Sequence, residues 1–242
     1  MDGSFNKPVV VGVIPCYNEE NFIYQLVATV LAHVDVVLVI NDGSQDNTEK
    51  EAALAGAKVI THSCNLGKGA ALSTALSYLR SRDFSVMVLL DGDGQHAPED
   101  IEQVIAPVLA GKADLVIGSR YLESAHRIPL YRKLGQRVLN IVTNLGSGID
   151  VSDSQSGFRA FSKTAVKLME PREKGFAVES EMQFIAAKAG LRVVEVPITT
   201  IYQAPVKRNP VAHGFAVLFR LFVLIHAAGG LPAVLSRLLR QK

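Results

Sequence analysis

The sequence predicts an α/β fold built on a mostly parallel sheet with helices on both faces. Two patterns carry that expectation. Through the first half, short apolar runs alternate with helix-length segments, and the runs are continuously apolar, as strands buried on both faces are. Each run also ends in a cluster of turn-forming polar residues, as strand-to-helix junctions do. With 242 residues, 48% of them hydrophobic and 20% charged, the chain can bury a sizeable core without staples.

The elements follow in order. Val9 to Ile14 reads as a strand and Glu20 to His33 as a helix. Val36 to Ile40 is a second strand. Gln45 to Gly56 is a helix, started by Ser44 or Asp46 with Glu49 in a capping position and stopped at Gly56. Ala57 to Thr61 is a strand and Gly69 to Arg80 an Ala/Leu-rich helix. Val86 to Leu90 is the fourth strand. Pro98 suits the first position of a helix running to Ala110, and Asp114 to Ile117 is the fifth strand. The second half is less regular. Leu130 to Leu145 reads as an amphipathic helix, Asp153 to Phe161 as a loop or strand, Val178 to Ala189 as a helix and Arg192 to Ile201 as a strand. The end of the chain reads as two short apolar helices around Gly229-Gly230-Leu231-Pro232. Residues 1–212 are expected to form one domain and residues 213–242 a basic, apolar tail.

Charge is unevenly placed. From Lys188 onward there are eight Lys or Arg and one acid, Glu195, a net of +7 against −5 for the rest. A basic tail on an acidic body suggests an anionic partner, and the tail's apolar content favours a membrane surface over nucleic acid. The basic residues also lack the interleaved aromatics of a base-stacking surface. Between Arg220 and Arg237 lie only 16 residues, broken by two glycines and Pro232, too few to span a bilayer. The tail is expected to lie in the interface, or else to pack on its own domain or in a homodimer. Met1 to Pro8 is polar and short, so no signal peptide is expected. Cys16 and Cys64 then read as reduced core filler in a cytoplasmic protein on the cytoplasmic face of the membrane.

Ligands of such sheets bind beyond the carboxyl ends of the strands. Three acidic clusters fall there: Pro15-Cys16-Tyr17-Asn18-Glu19-Glu20, Asn41-Asp42-Gly43-Ser44 and Asp91-Gly92-Asp93-Gly94-Gln95-His96. Asp91 and Asp93 flank a glycine after an apolar strand. Two carboxylates brought near one point suit Mg²⁺ or Mn²⁺, which completes its shell with water and substrate phosphates, and Gln95 is a further candidate ligand. Asp42 and Glu19 are placed to accept from ribose hydroxyls or a base, or else to cap helices. Leu66-Gly67-Lys68-Gly69 precedes a helix, so backbone N–H groups and Lys68 could face an anion.

Those segments, with Gly118-Ser119-Arg120-Tyr121, Asp153-Ser154-Gln155-Ser156-Gly157-Phe158-Arg159 and Val196-Pro197-Ile198, resemble family-2 glycosyltransferases. Within that family they are most similar to the dolichol-phosphate mannose synthase branch and its bacterial polyprenyl-phosphate relatives. The resemblance covers roughly Val9 to Pro210. It implies a GT-A fold and a metal-dependent, inverting transfer of a hexose from a nucleotide-diphospho-sugar of the GDP-mannose or UDP-glucose type to a polyprenyl phosphate. It implies that Asp42 and Glu19 hold the nucleoside, with Pro15, Tyr17, Gly67 and Lys68 in the same donor site. Asp91, Asp93 and Gln95 would serve the metal and diphosphate, and Arg120 a phosphate. Asp153, Gln155 and Arg159 would line the acceptor and sugar side.

A hydroxyl acceptor needs a general base, whereas a phosphomonoester, with a second pKa near ~6, is already largely dianionic. Glu179 and Glu181 are the acids placed like a family base. Arg132, Arg137, Lys207 and Arg208 supply cations for a phosphate acceptor. The competing readings are a hydroxyl-acceptor branch of the same family, a sugar nucleotidyltransferase and a non-catalytic nucleotide-sugar binding protein. The nucleotidyltransferase is disfavoured because no Gly-rich basic loop follows the first strand.

Overall fold

The computed structural model describes residues 8–122, 130–175, 177–199, 201 and 223, and of residues 130–135 the backbone alone. The chain runs β1 (Val10–Cys16), α1 (Ile23–Val30), β2 (Val36–Asn41), α2 (Thr48–Leu54), β3 (Lys58–Thr61), α3 (Lys68–Arg80) and β4 (Val86–Leu89). A short 3₁₀ turn at Pro98–Asp100 leads into α4 (Ile101–Leu109). Then come β5 (Leu115–Ser119), α5 (Leu130–Ser147), β6 (Arg159–Ser162), α6 (Lys163–Leu168), α7 (Val178–Lys188) and β7 (Val193–Pro197). The expected tail helices lie outside the described residues, apart from the helical Val223.

One seven-stranded sheet has the order β3-β2-β1-β4-β6-β5-β7. β1 pairs in parallel with β2 and β4, β2 with β3, and β5 with β7. β6 is antiparallel to both β4 and β5. The purely parallel alternation of the first half therefore does not extend through the second. The chain leaves β5 at its carboxyl end, passes through α5, and re-enters the sheet from that same edge. The residues just before β6 consequently join the three acidic clusters at one rim.

Successive strand residues point to opposite faces, and each face carries its own core. Ile14, Val39 and Val88 pack with Ile23, Val27 and Val30 of α1 and Ile101 and Val104 of α4. Val13, Ile40 and Leu89 pack with Leu72 and Leu76 of α3, Val166 of α6 and Met182 of α7.

Of the two caps expected for α2, Asp46 is used, and the helix starts later than Gln45. The helix begins at Thr48, with Asp46 accepting from the Thr48 backbone N at 3.0 Å and from its hydroxyl. Ser44 instead accepts from Asn18 N at 2.9 Å, and Glu20 accepts from Asn47 N at 3.0 Å. These side chains tie the loop after β1 to the loop after β2.

Arg159, expected on the acceptor side, is fully buried. Its guanidinium donates to the carbonyls of Ser156 (2.9 Å), Glu179 (2.9 Å) and Ser154 (2.7 Å). Burial works against its charge, and the carboxylates of Glu179, Asp153 and Asp91 offset that cost only in part, leaving its pKa lowered. Arg159 thus clips the loop before β6 to the start of α7. Arg159→Leu would take the donor from the buried loop carbonyls of Ser154 and Ser156, while Glu179 O stays within the α7 ladder. It should lower unfolding free energy by about 2 kcal/mol or more in urea titration, since each orphaned acceptor costs ~1–3 kcal/mol.

Candidate functional site

The rim is assembled from strand ends. Asp42 N donates to Cys16 O at 2.9 Å, which registers the end of β2 against the end of β1. At the end of β4, a Cβ on Gly92 would stand 2.9 Å from the Cys16 Cβ and 3.1 Å from Pro15 O. Only glycine lets the chain turn so close to β1, which puts Asp91 and Asp93 beside the first cluster. Pro15 is buried within β1, Tyr17 is exposed at the rim, and Glu19 is buried with its backbone N donating to Thr48 Oγ1 at 2.8 Å. Burial, then the negative charges of Glu19, Asp46 and Asp42, push the Cys16 thiol up to about 12, so it is an inert filler.

Asp42 faces inward rather than standing open at the rim. Its Oδ1 accepts from Leu66 N (2.9 Å) and from His62 Nδ1 (2.8 Å), and its Oδ2 accepts from Gly67 N (2.7 Å). His62 is itself held by Thr74 Oγ1 at 2.9 Å. The anion met by the Leu66-Gly67 amides is therefore the protein's own carboxylate. Gly67 and Gly69 serve close approach: side chains there would collide with the carbonyls of Lys174 and Glu173, and Gly69 N donates to Lys174 O at 2.8 Å.

Lys68 is the hub. Its ammonium lies 2.6 Å from Asp91 Oδ1 and 2.5 Å from Glu179 Oε1, joining the start of α3, the end of β4 and the first turn of α7. Burial alone would favour neutral Lys68, but Asp91 and Glu179 outweigh it and raise its pKa. Burial likewise opposes charge on Asp91, yet Lys68 and His96 hold that carboxyl down at about 2. Asp93 behaves oppositely: burial and the Asp91 charge push it up to about 6, against the 3.1 Å bond from Gln95 N and the charge of Lys68, which favour its anion. Burial takes His96 down to about 4, so the ring is neutral and its Nδ1 accepts from Asp91 N at 3.2 Å.

The segment before β6 closes the site. A Cβ on Gly157 would stand 2.5 Å from Asp91 Oδ2, so the loop lies against the carboxylate. Asp153 holds Arg120 in a two-point fork, Nε to Oδ2 at 2.7 Å and Nη2 to Oδ1 at 2.8 Å. Asp153 is placed in turn by Glu195 of β7, which accepts from Ser152 N (2.8 Å), Ser152 Oγ (3.0 Å) and Asp153 N (3.1 Å). Gln155 donates to Ser180 Oγ at 2.7 Å on α7. Glu181 caps a turn: its carboxylate accepts from Arg172 N (3.0 Å) and Glu173 N (2.8 Å). Arg137 is exposed on α5. Lys207, Arg208 and the side chain of Arg132 lie outside the described residues.

The structure thus gathers Asp91, Asp93, Lys68, Glu179, Arg120 and Asp153 around one rim and withdraws Arg159 and Glu181 into support. Sequence reading missed Gly157, His62 and Glu195. A lone acid within Val193-Val194-Glu195-Val196 was the signal for the last. Among the described residues no group of three or more His, Cys, Asp or Glu could hold a metal. The pair Asp91 and Asp93 still fits a hard divalent cation, because each raises the energy of the other's charge and a substrate diphosphate supplies the further oxygens.

Residues 13–169 match glycosyl transferase family 2. A UDP-N-acetylglucosamine–dolichyl-phosphate N-acetylglucosaminyltransferase of Methanococcus voltae is 36% identical over 236 residues, 88% of this chain and 94% of that protein. A polyprenol monophosphomannose synthase of Mycolicibacterium smegmatis is 33% identical over 200 residues, 77% of this chain and 75% of that protein. In fold, the chain is similar to glucosyl-3-phosphoglycerate synthase from Mycobacterium tuberculosis, solved with Mn²⁺, UDP and glucosyl-3-phosphoglycerate. The TM-score is 0.71 at 20% identity, over 90% of this chain and 80% of that one.

Gly157→Ala would force a methyl group onto Asp91. A misplacement near 1 Å can cost about 100-fold in rate, so turnover should fall by roughly that factor. Thermal unfolding should shift by only a few degrees, which separates a displaced carboxylate from a lost fold.

Proposed function

The chain belongs to glycosyl transferase family 2 and has the GT-A fold, and on that premise we propose that it moves a sugar from a nucleotide-diphospho-sugar to a polyprenyl phosphate. The observation that supports the acceptor most is the state of the two acids placed like a base. Glu179 is bound to Lys68 and Glu181 to backbone amides. An acceptor that brings its own negative oxygen needs neither, and a phosphomonoester does so at neutral pH, its second pKa being near ~6. The relatives named for dolichyl-phosphate and polyprenol-phosphate sugar transfer point the same way.

The proposed step is a single inverting displacement. A phosphate oxygen of the acceptor forms a bond to the anomeric carbon while the bond to the donor's diphosphate oxygen breaks, and the electron pair leaves with the nucleoside diphosphate. Mg²⁺ or Mn²⁺ held by Asp91 and Asp93, with Gln95 beside them, would take up charge on that leaving group. Pro15, Tyr17 and Glu19 border the nucleoside, and Asp42 acts on the donor through the Leu66-Lys68 segment it anchors. Arg120, oriented by Asp153, meets a phosphate with a preformed fork. Gln155 stands on the sugar side. The donor is of the GDP-mannose or UDP-glucose type, and the sugar a hexose.

We assign residues 1–212 to catalysis and residues 213–242 to a tail on the cytoplasmic face of the membrane, with Arg132, Arg137, Lys207 and Arg208 near the acceptor phosphate. No helix among the described residues is long and apolar enough to cross a bilayer.

The test is a screen of nucleotide sugars with Mg²⁺, Mn²⁺ or chelator, with and without polyprenyl phosphate, following label into an organic-soluble product. Label should enter that product only with both acceptor and metal. Transfer to a glycan hydroxyl in preference would contradict the proposal. Asp93→Ala should lower the rate by roughly a thousandfold, ~4 kcal/mol of barrier. Glu179→Gln should stay within about tenfold of the parent in kcat. A loss of about 100-fold or more would mark a general base and hence a hydroxyl acceptor.

A further inference from the structure

β7 forms one edge of the sheet, beside β5, and reads Val193-Val194-Glu195-Val196-Pro197. One acid stands among aliphatic residues. Burial pushes its carboxyl pKa up, the bonds from Ser152 and Asp153 pull against that, and the Asp153 charge adds to it. Three converging donors give a carboxylate its use there. Ser152 N meets Oε2, and Ser152 Oγ and Asp153 N meet Oε1. An amide side chain has one accepting oxygen and could not serve both positions.

What those bonds hold is the base of Arg120. The Asp153 side chain is fully buried and accepts from Arg120 N (3.2 Å), Nε (2.7 Å) and Nη2 (2.8 Å), while the Arg120 side chain stays 25% exposed at the rim. In a two-point fork the carboxylate sets the plane and direction of the guanidinium. A side chain as short as Asp takes its direction from its own backbone, and Glu195 fixes that backbone at the Asp153 amide. β7 also steadies the other side of the fork. Just past the strand, Ile198 N donates to Ser119 O at 3.0 Å, next to Arg120, and the Ser119 and Ser152 hydroxyls lie 2.6 Å apart.

We propose that Glu195 is a positioning residue for the transfer reaction: it holds the Asp153 backbone so that the Asp153 fork aims Arg120 at a substrate phosphate. Glu195 itself touches no substrate. A shift of the 152–153 backbone is carried through the fork to the guanidinium, and a misplacement near 1 Å can cost about 100-fold in rate. The role rests on the phosphate reading of Arg120 above, whereas the link from Glu195 to the Arg120 fork does not.

Glu195→Gln is nearly isosteric, so melting should move by only a few degrees. Yet kcat/KM for donor or acceptor should fall by about tenfold or more. In an Arg120→Lys background, which keeps the charge and removes the fork, adding Glu195→Gln should cost less than about twofold more. Glu195→Asp keeps the charge and draws it away from the amides; it should repeat the pattern, and it serves if the Gln variant does not fold. A second measurement uses neither donor nor acceptor. In protein carrying isotope-labelled arginine, NMR follows the Arg120 Nε–H, identified by its loss in Arg120→Lys. That proton should exchange with water roughly tenfold faster in Glu195→Gln. If transfer to polyprenyl phosphate is not found, the exchange rate alone decides. An unchanged exchange rate overturns the proposal. So does a loss under about twofold with Arg120 present, or an equal loss with and without the fork, which would mark Glu195 as a support of the fold only.

Discussion

The site depends on one buried cation. The carboxylates of Asp91 and Glu179 come from opposite halves of the chain, and without compensation their approach would be costly in a desolvated rim. Lys68 lies within 2.6 Å of both. It arrives there because Asp42 holds the amides just before it and because Gly67 and Gly69 allow the Glu173–Lys174 backbone to pass against the start of α3. Asp93 is buried beside them without an ion-pair partner of that kind, so burial first and the Asp91 charge second push its carboxyl up to about 6 while that of Asp91 is held at about 2.

The reversed strand β6 makes this convergence possible. A sixth parallel strand would place the preceding loop at the amino edge, away from the acidic clusters. Because β6 runs antiparallel between β4 and β5, residues 153–158 return to the carboxyl rim, where Gly157 touches Asp91 and Asp153 holds Arg120. Two side chains then hold the loop from either end, half-buried Glu195 on the amides of Ser152 and Asp153, and buried Arg159 on the carbonyls of Ser154 and Ser156. A sugar transferase needs such rigidity, because preset charges stabilise a departing diphosphate only if they need not reorganise.

The first five strands and the three acidic rims were legible because continuous apolar runs and Gly-containing turns are local signals. The direction of β6 and the existence of α6 were not, since strand polarity depends on where a connection ends in space. Among the site residues, Asp91, Asp93, Lys68 and Arg120 stand at the rim as their motifs suggested. Arg159 and Glu181 belong to the same motifs yet serve backbone groups, a distinction that only burial and partner geometry make. Asp42 shows the same limit: its position after β2 was clear, but that its carboxylate is spent on the 66–67 amides depends on a loop 24 residues further along.

The claim that Lys68 couples the two halves is most directly tested by a double-mutant cycle in urea, comparing Lys68→Met, Glu179→Gln and the pair. If the ammonium binds Glu179 in the folded state, Lys68→Met alone leaves an uncompensated buried carboxylate and should cost about 3 kcal/mol or more. Adding Glu179→Gln should then recover part of that loss, giving a coupling energy of about 1–3 kcal/mol. Effects that add to within about 0.5 kcal/mol would show that the two residues do not share the interaction, and would contradict the account.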